Sequence, residues 1–129
     1  MAKRQLVTLD LDKEFIWTPT DEIDEEKPTK FYYKALSNRE YEKINAHIIK
    51  AEDGVIFSEE GVVNYDTVKL KLVKIEDIEI DGSLKNFDKK DITDKILDSL
   101  PREWIADLAT QIRVTSILKG KEIEELKKS

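Results

Sequence analysis

Val68-Lys69-Leu70-Lys71-Leu72-Val73-Lys74-Ile75-Glu76-Asp77-Ile78-Glu79-Ile80-Asp81-Gly82-Ser83 carries two hydrophobic periods at once. Val68, Leu70 and Leu72 alternate as on a strand with one buried face, whereas Leu72, Ile75 and Glu79 share a helical face. Just upstream, Asn64 and Asp66 are residue types that cap helices, because a short side-chain oxygen can accept a free amide of the first turn. Together these signals give a short helix over about 65–74, then a strand through Ile75, Ile78 and Ile80. Asp81-Gly82 reads as the turn of a β-hairpin, the dipeptide favoured where both turn residues need positive φ. A helix feeding straight into a strand points to a mixed α+β domain.

The same stretch also partly matches a calcium loop from Asp77 to Asp88. It has oxygens at positions 1, 3 and 5, Gly82 at position 6, an aliphatic at 8 and a carboxylate at 12. Three departures count against it. Glu79 is longer than the usual Asp or Asn, Lys85 puts a cation beside the ion, and Asp88 is too short to reach as a bidentate Glu does. The alternating Ile75, Ile78 and Ile80 also suggest an entering strand where a calcium loop has a helix. The hairpin is the preferred reading, and no metal or cofactor is expected.

Upstream, residues 4–9 and 14–18 read as short strands joined by a turn at 10–13, with Pro19 ending the second because it cannot donate to a ladder. Residues 20–29 hold five acids and one apolar residue, Ile23, and read as an acidic loop. Residues 30–36 form an aromatic strand in which Phe31, Tyr33 and Ala35 face one way. Ser37 and Glu40 fit a capping box, opening a helix over 38–51 with Tyr41, Ile44 and Ile48 as its stripe and Gly54 beyond its end. Residues 55–66 stay ambiguous, with Val55-Ile56-Phe57 strand-like and Val62-Val63 either strand or loop. Downstream, Asp91 caps a helix over 91–100. Pro101 opens another over 101–118, since proline suits a first helical turn. Residues 120–129 form a charged tail. The expected architecture is a single α+β domain over 1–129. Its N-terminal antiparallel sheet (near 4–9, 14–18, 30–36 and 75–80) packs against helices near 38–51, 91–100 and 101–118.

Composition excludes several functions. Charged residues make up 39% of the 129, well above the usual ~25%, and the net charge is −6. A general grip on nucleic acid needs a basic stripe that displaces counterions, so none is expected. With no cysteine, disulfides, thiolate chemistry and zinc ribbons are ruled out. No run of about 20 apolar residues offers a membrane span. Asp10, Asp12 and Glu14 break the apolar run a signal peptide would need. The expectation is an intracellular, soluble protein.

Candidate catalytic groups are sparse. His47, the single histidine, has no adjacent nucleophile or orienting acid in the pattern of a triad, and no Gly-x-Ser-x-Gly elbow occurs. The run Asp21-Glu22-Ile23-Asp24-Glu25-Glu26 suits either a solvated loop or contact with a cation or a basic partner. One positive feature lies on the last helix. At 100° per residue, Trp104, Ile105, Leu108 and Ile112 fall on one side, and Val114, Ile117 and Leu118 largely on the other. A helix that turns apolar all round is covered by its own domain or by a partner. Trp104, Val114, Ile117 and Leu118 are therefore the candidate partner-binding residues, and no catalytic residue is expected.

The order of short motifs resembles a family. Phe31-Tyr32-Tyr33-Lys34-Ala35-Leu36-Ser37-Asn38-Arg39-Glu40-Tyr41 is followed by Asp81-Gly82, then Asp98-Ser99-Leu100-Pro101-Arg102-Glu103-Trp104 and Glu122-Ile123-Glu124-Glu125-Leu126-Lys127-Lys128. Over roughly 31–50 and 75–126 this is similar to the tail assembly chaperones of tailed phages. The resemblance implies a non-catalytic protein that binds tape-measure or tail-tube subunits in the bacterial cytoplasm, as a homo-oligomer. The alternative from a different class is a structural virion component, such as a head–tail connector or decoration subunit.

Overall fold

In the computed structural model, which describes residues 11–45, 49–52, 55–58 and 60–117, with side chains for all of these but 45–62, Leu72, Ile75 and Ile78 are all buried. A spacing of three is foreign to a regular strand, and bulges explain it. Strand β5 (Leu72–Ile80) lies between β2 (Lys30–Tyr33) and β6 (Ser83–Asp88), antiparallel to both. Tyr33 pairs with Leu72 but Tyr32 pairs with Lys74, so Val73 is one extra residue. Ile75 pairs with Phe87 but Ile78 pairs with Lys85, so Glu76 and Asp77 together face Asn86. Each bulge inserts one residue and returns the next apolar side chain to the same face. Asp77 takes φ 57, a left-handed conformation that Asp adopts more readily than most residues. Its N–H donates to the Asn86 Oδ1 at 2.9 Å.

The hairpin turns where the sequence placed it. Ile80 pairs with Ser83 across Asp81 and Gly82, at φ 52 and 83. The expected strand at 75–80 thus starts three residues earlier, at Leu72. The helix before it, α2, spans Glu60–Lys71 where about 65–74 was expected. Asn64 and Asp66 lie inside it, not at its cap. Val63, Thr67 and Val68 form its buried side, so the ambiguous Val62-Val63 belongs to a helix. The Lys89 ammonium donates to the Leu70 and Leu72 carbonyls, both at 3.1 Å, tying down the switch from helix to strand. Burial, with Lys71 and Lys34 nearby, holds the Lys89 pKa below its ordinary value.

Among the described strands, the main sheet runs β1-β2-β5-β6, beginning with β1 (Phe15–Trp17). The aromatic strand expected over 30–36 ends at Tyr33. Beyond it the Lys34 N–H bonds to the Lys71 carbonyl, and the Leu36 N–H to Ser116 Oγ at 2.7 Å. Phe31, Tyr33 and Ala35 are all buried, as their alternation requires. The strand expected at 4–9, the tail at 120–129 and His47 lie outside the described residues.

Ser37 and Glu40 form the reciprocal capping box: Ser37 N–H donates to Glu40 Oε1 at 3.0 Å, and Glu40 N–H to Ser37 Oγ at 3.2 Å. The helix they start, α1, covers Asn38–Asn45 and does not run to residue 51. Ile49–Glu52 is instead strand β3, paired antiparallel with β4 (Val55–Ser58). The register joins Glu52 to Val55, so the sequence between is Asp53-Gly54, a second dipeptide suited to a two-residue hairpin loop. Cross-strand pairing overrides the helical spacing that Ile44 and Ile48 suggest.

Helix α3 covers Asp94–Ser99, with Thr93 as its cap in place of the expected Asp91, which belongs to a 3-10 turn at Lys89–Asp91. The Pro101 carbonyl accepts the first bonds of α4 (Arg102–Ile117), from the Trp104 and Ile105 amides. Leu108, Ala109 and Ile112 of α4 are buried in the core formed with the sheet and α2. The Tyr33 hydroxyl meets Thr115 Oγ1 at 2.8 Å inside it. The architecture is α+β. Among the described residues, no helix is long and apolar enough to cross a membrane.

Candidate functional site

Strand register decides what meets at one end of the sheet. Trp17 pairs with Phe31 and Lys30 with Glu76, so the 18–29 connection emerges beside the Asp77–Asp81 half of β5. A 3-10 turn at Thr20–Glu22 folds this connection back. The buried Thr29 then holds it down: its N–H and hydroxyl both donate to Glu22 Oε1, at 3.2 and 2.8 Å. The Thr29 hydroxyl also lies 3.4 Å from the Asp77 carbonyl, on the β5 bulge. Across the gap, the Trp104 indole N–H donates to Asp21 Oδ1 at 3.2 Å. The Trp104 ring meets Phe31 edge-on, with centroids 5.9 Å apart.

These elements enclose an open groove of about 1080 Å³ between the acidic connection, the β5–β6 hairpin and the α3–α4 junction. Its floor is apolar, built from Ile78, Ile80, Ile96, Leu100 and Trp104. Its rim is acidic. Glu22 is used by Thr29, and Asp77 lies 3.9 Å from the Lys30 ammonium. Glu25, Glu26, Glu79 and Asp81 make no side-chain ion pair among the described residues, and Lys27 and Lys95 are the two cations lining the groove. Two acidic runs more than fifty residues apart in sequence thus share one rim. The sequence names each run, but only the register brings them together.

Of the four residues chosen from the sequence, the three that are described lie at separate points along α4. Trp104 is half-buried in the groove wall, packed on the core. Val114 and Ile117 lie further along α4, 37% and 62% exposed. Leu118 is outside the described residues. The acidic connection reaches Trp104 through Asp21.

Away from the groove, Glu40 is held in its charged form. Burial works against its ionised form, yet the Ser37 amide and the Lys71 ammonium, 3.0 Å away, outweigh it and hold the carboxyl below its ordinary pKa. This ion pair ties α1 to the end of α2. The stretch with calcium-loop spacing lies in the β5–β6 ladder, with Asp77 on one strand and Asp88 on the other. Among the described residues, no three His, Asp or Glu side chains are gathered as a metal site would require.

The chain matches no family model, no curated protein and no solved structure.

Proposed function

We propose that this protein acts by binding other proteins and not by catalysis, as an assembly factor of a tailed phage or prophage. In this reading it is a tail assembly chaperone that holds tape-measure or tail-tube subunits in the host cytoplasm until they are built in. The observation that carries the protein-binding part is the exposed apolar side of α4, at Val114 and Ile117, opposite the side that fills the core. Water contact with large apolar groups is unfavourable, so a surface of this kind gains by being covered. The order of motifs from Phe31 to Lys128 supports the phage part.

Mass spectrometry of purified virions, together with co-purification of the protein with its tape-measure or tail-tube neighbour, tests this reading. A chaperone is found with unassembled subunits and is missing from finished particles. A stoichiometric place in the virion overturns the chaperone and favours a connector or decoration subunit.

A further inference from the structure

We infer that the groove between the acidic connection, the β5–β6 hairpin and the α3–α4 junction is a docking site for a cationic amphipathic helix of a partner protein. The inference rests on the protein-binding reading above but needs neither its phage setting nor the Val114–Ile117 surface.

Three properties select this occupant. The first is charge. Glu25, Glu26, Glu79 and Asp81 line one groove and make no side-chain ion pair among the described residues, against two lysines, Lys27 and Lys95. Like charges fixed on a common rim repel, and a cation placed among them is attracted from several sides. Nucleic acid and anionic lipid surfaces are disfavoured by the same rim. The second is the floor. Ile78, Ile80, Ile96, Leu100 and Trp104 offer apolar surface that a purely polar cation would leave wet. An occupant with one basic and one apolar side satisfies rim and floor together, which is the helix-in-groove mode of recognition. The third is size. The groove, about 1080 Å³ and open on one side, has room for a helix about 10 Å across to lie along it with its outer face in water.

The groove walls are fixed before binding. Thr29 secures the acidic connection through Glu22 and lies against the β5 bulge. Asp21 is joined to Trp104, and Thr93 caps α3. Little ordering cost is left for the protein itself. Trp104 sits in the wall and serves as an intrinsic fluorescent reporter, with Trp17 as the second tryptophan of the chain.

The test uses the full chain and three synthetic 14-residue helical peptides. One carries Lys and Leu on opposite faces, one keeps the Lys but replaces Leu by Ser, and one keeps the Leu but replaces Lys by Gln. Binding is read by Trp fluorescence and by amide chemical-shift changes. The Lys/Leu peptide is expected to bind at micromolar concentration, shifting the amides of Ile78, Ile80, Ile96 and Leu100. Both control peptides should bind at least tenfold more weakly. The double variant Glu25→Lys/Glu79→Lys, altered only at exposed positions, should keep its far-UV circular dichroism and lose at least tenfold in affinity. Equal binding by the Lys/Ser peptide overturns the inference, since the groove would then be a mere acidic surface. Unchanged affinity in the double variant, or shifts confined to Val114 and Ile117, also overturns it. If the double variant fails to fold, Glu25→Gln/Glu79→Gln takes its place, with a loss of at least threefold expected and none overturning the inference. A groove that binds the Lys/Leu peptide in a protein that ignores phage tail subunits rejects the phage reading and leaves the docking site standing.

Discussion

Substitutions at Asp77 test the bulge that sets the phase of β5. In a regular strand, Val is among the best residues and Gly among the worst, over a range of about 1 kcal/mol. At φ 57 the order reverses. A left-handed conformation costs an L-residue about 1–2 kcal/mol, and a β-branched side chain stands at the unfavourable end of that range. The parent Asp already bears the lower end of that cost, so Asp77→Val loses about 1 kcal/mol through the backbone. The Lys30–Asp77 contact, 3.9 Å long and partly exposed, adds at most a few tenths more. Asp77→Gly removes the steric cost but gains about 0.5–1 kcal/mol of unfolded-state entropy, so it ends near neutral. Asp77→Asn, which keeps a short polar side chain suited to positive φ, is near neutral as well. In urea unfolding followed by circular dichroism, Gly, Asn and Asp should fall within about 0.5 kcal/mol of one another, with Val about 1 kcal/mol below. For a chain of this length that gap lowers Tm by roughly 3–5 °C. A Val variant as stable as the parent, or a Gly variant clearly worse than Val, would show that Asp77 occupies a regular strand position and would sink the bulge account.

Trp104→Ala removes a half-buried ring that meets Phe31 edge-on, so it should cost about 2–4 kcal/mol, short of the fully buried maximum. Trp104→Phe, which keeps a ring and loses only the bond to Asp21, should cost about 1 kcal/mol by the same denaturation assay. Gly82→Ala meets no neighbouring atom within 4 Å, yet at φ 83 it should lose about 1 kcal/mol through the turn backbone, seen as a lower urea midpoint. Replacing Val114 and Ile117 together by Ser should change monomer stability by no more than about 1 kcal/mol and reduce self-association in sedimentation, whereas marked unfolding would place them in the core. Glu40 supplies a pH prediction. Its folded pKa lies below its ordinary 4.5, so its ionised form adds stability that is complete above that value and is lost as pH falls through the folded pKa. The stability gap between the parent and Glu40→Gln should therefore be constant near neutrality and narrow on acidification below about pH 4.5, and a gap that widens there would refute the role given to Lys71.

Much of the fold was legible because its signals are local. The Ser37–Glu40 box, the Asp81-Gly82 turn and the helix opened by Pro101 each depend on residues within a few positions of one another. The misread elements depend on distant pairing. Ile44 and Ile48 continue a helical spacing, but Ile49–Glu52 is held by β4, and nothing within the helix window announces that partner. Leu72, Ile75 and Ile78 mimic a helix because two bulges stretch a strand's spacing from two to three. A bulge is defined by the strand opposite, here Tyr32–Tyr33 on one side and Asn86 on the other. The ambiguity between periods in that stretch was a real property of the chain, and its resolution lies in its neighbours.

The groove illustrates the same limit for function. Each of its acidic runs has an ordinary explanation when taken alone: the 20–29 connection as a solvated loop, the Asp77–Asp81 run as a hairpin tip. Their juxtaposition follows from the pairing of Lys30 with Glu76, which sets the β1–β2 connection against the bulged half of β5. The Thr29–Glu22 bonds and the Asp21–Trp104 contact hold this arrangement in place. A cationic amphipathic partner is drawn by the acidic rim and covers the apolar floor. Glu25 and Glu79 are exposed, so the charge-reversal variant should keep the parent's urea midpoint in the same experiment in which it loses the peptide.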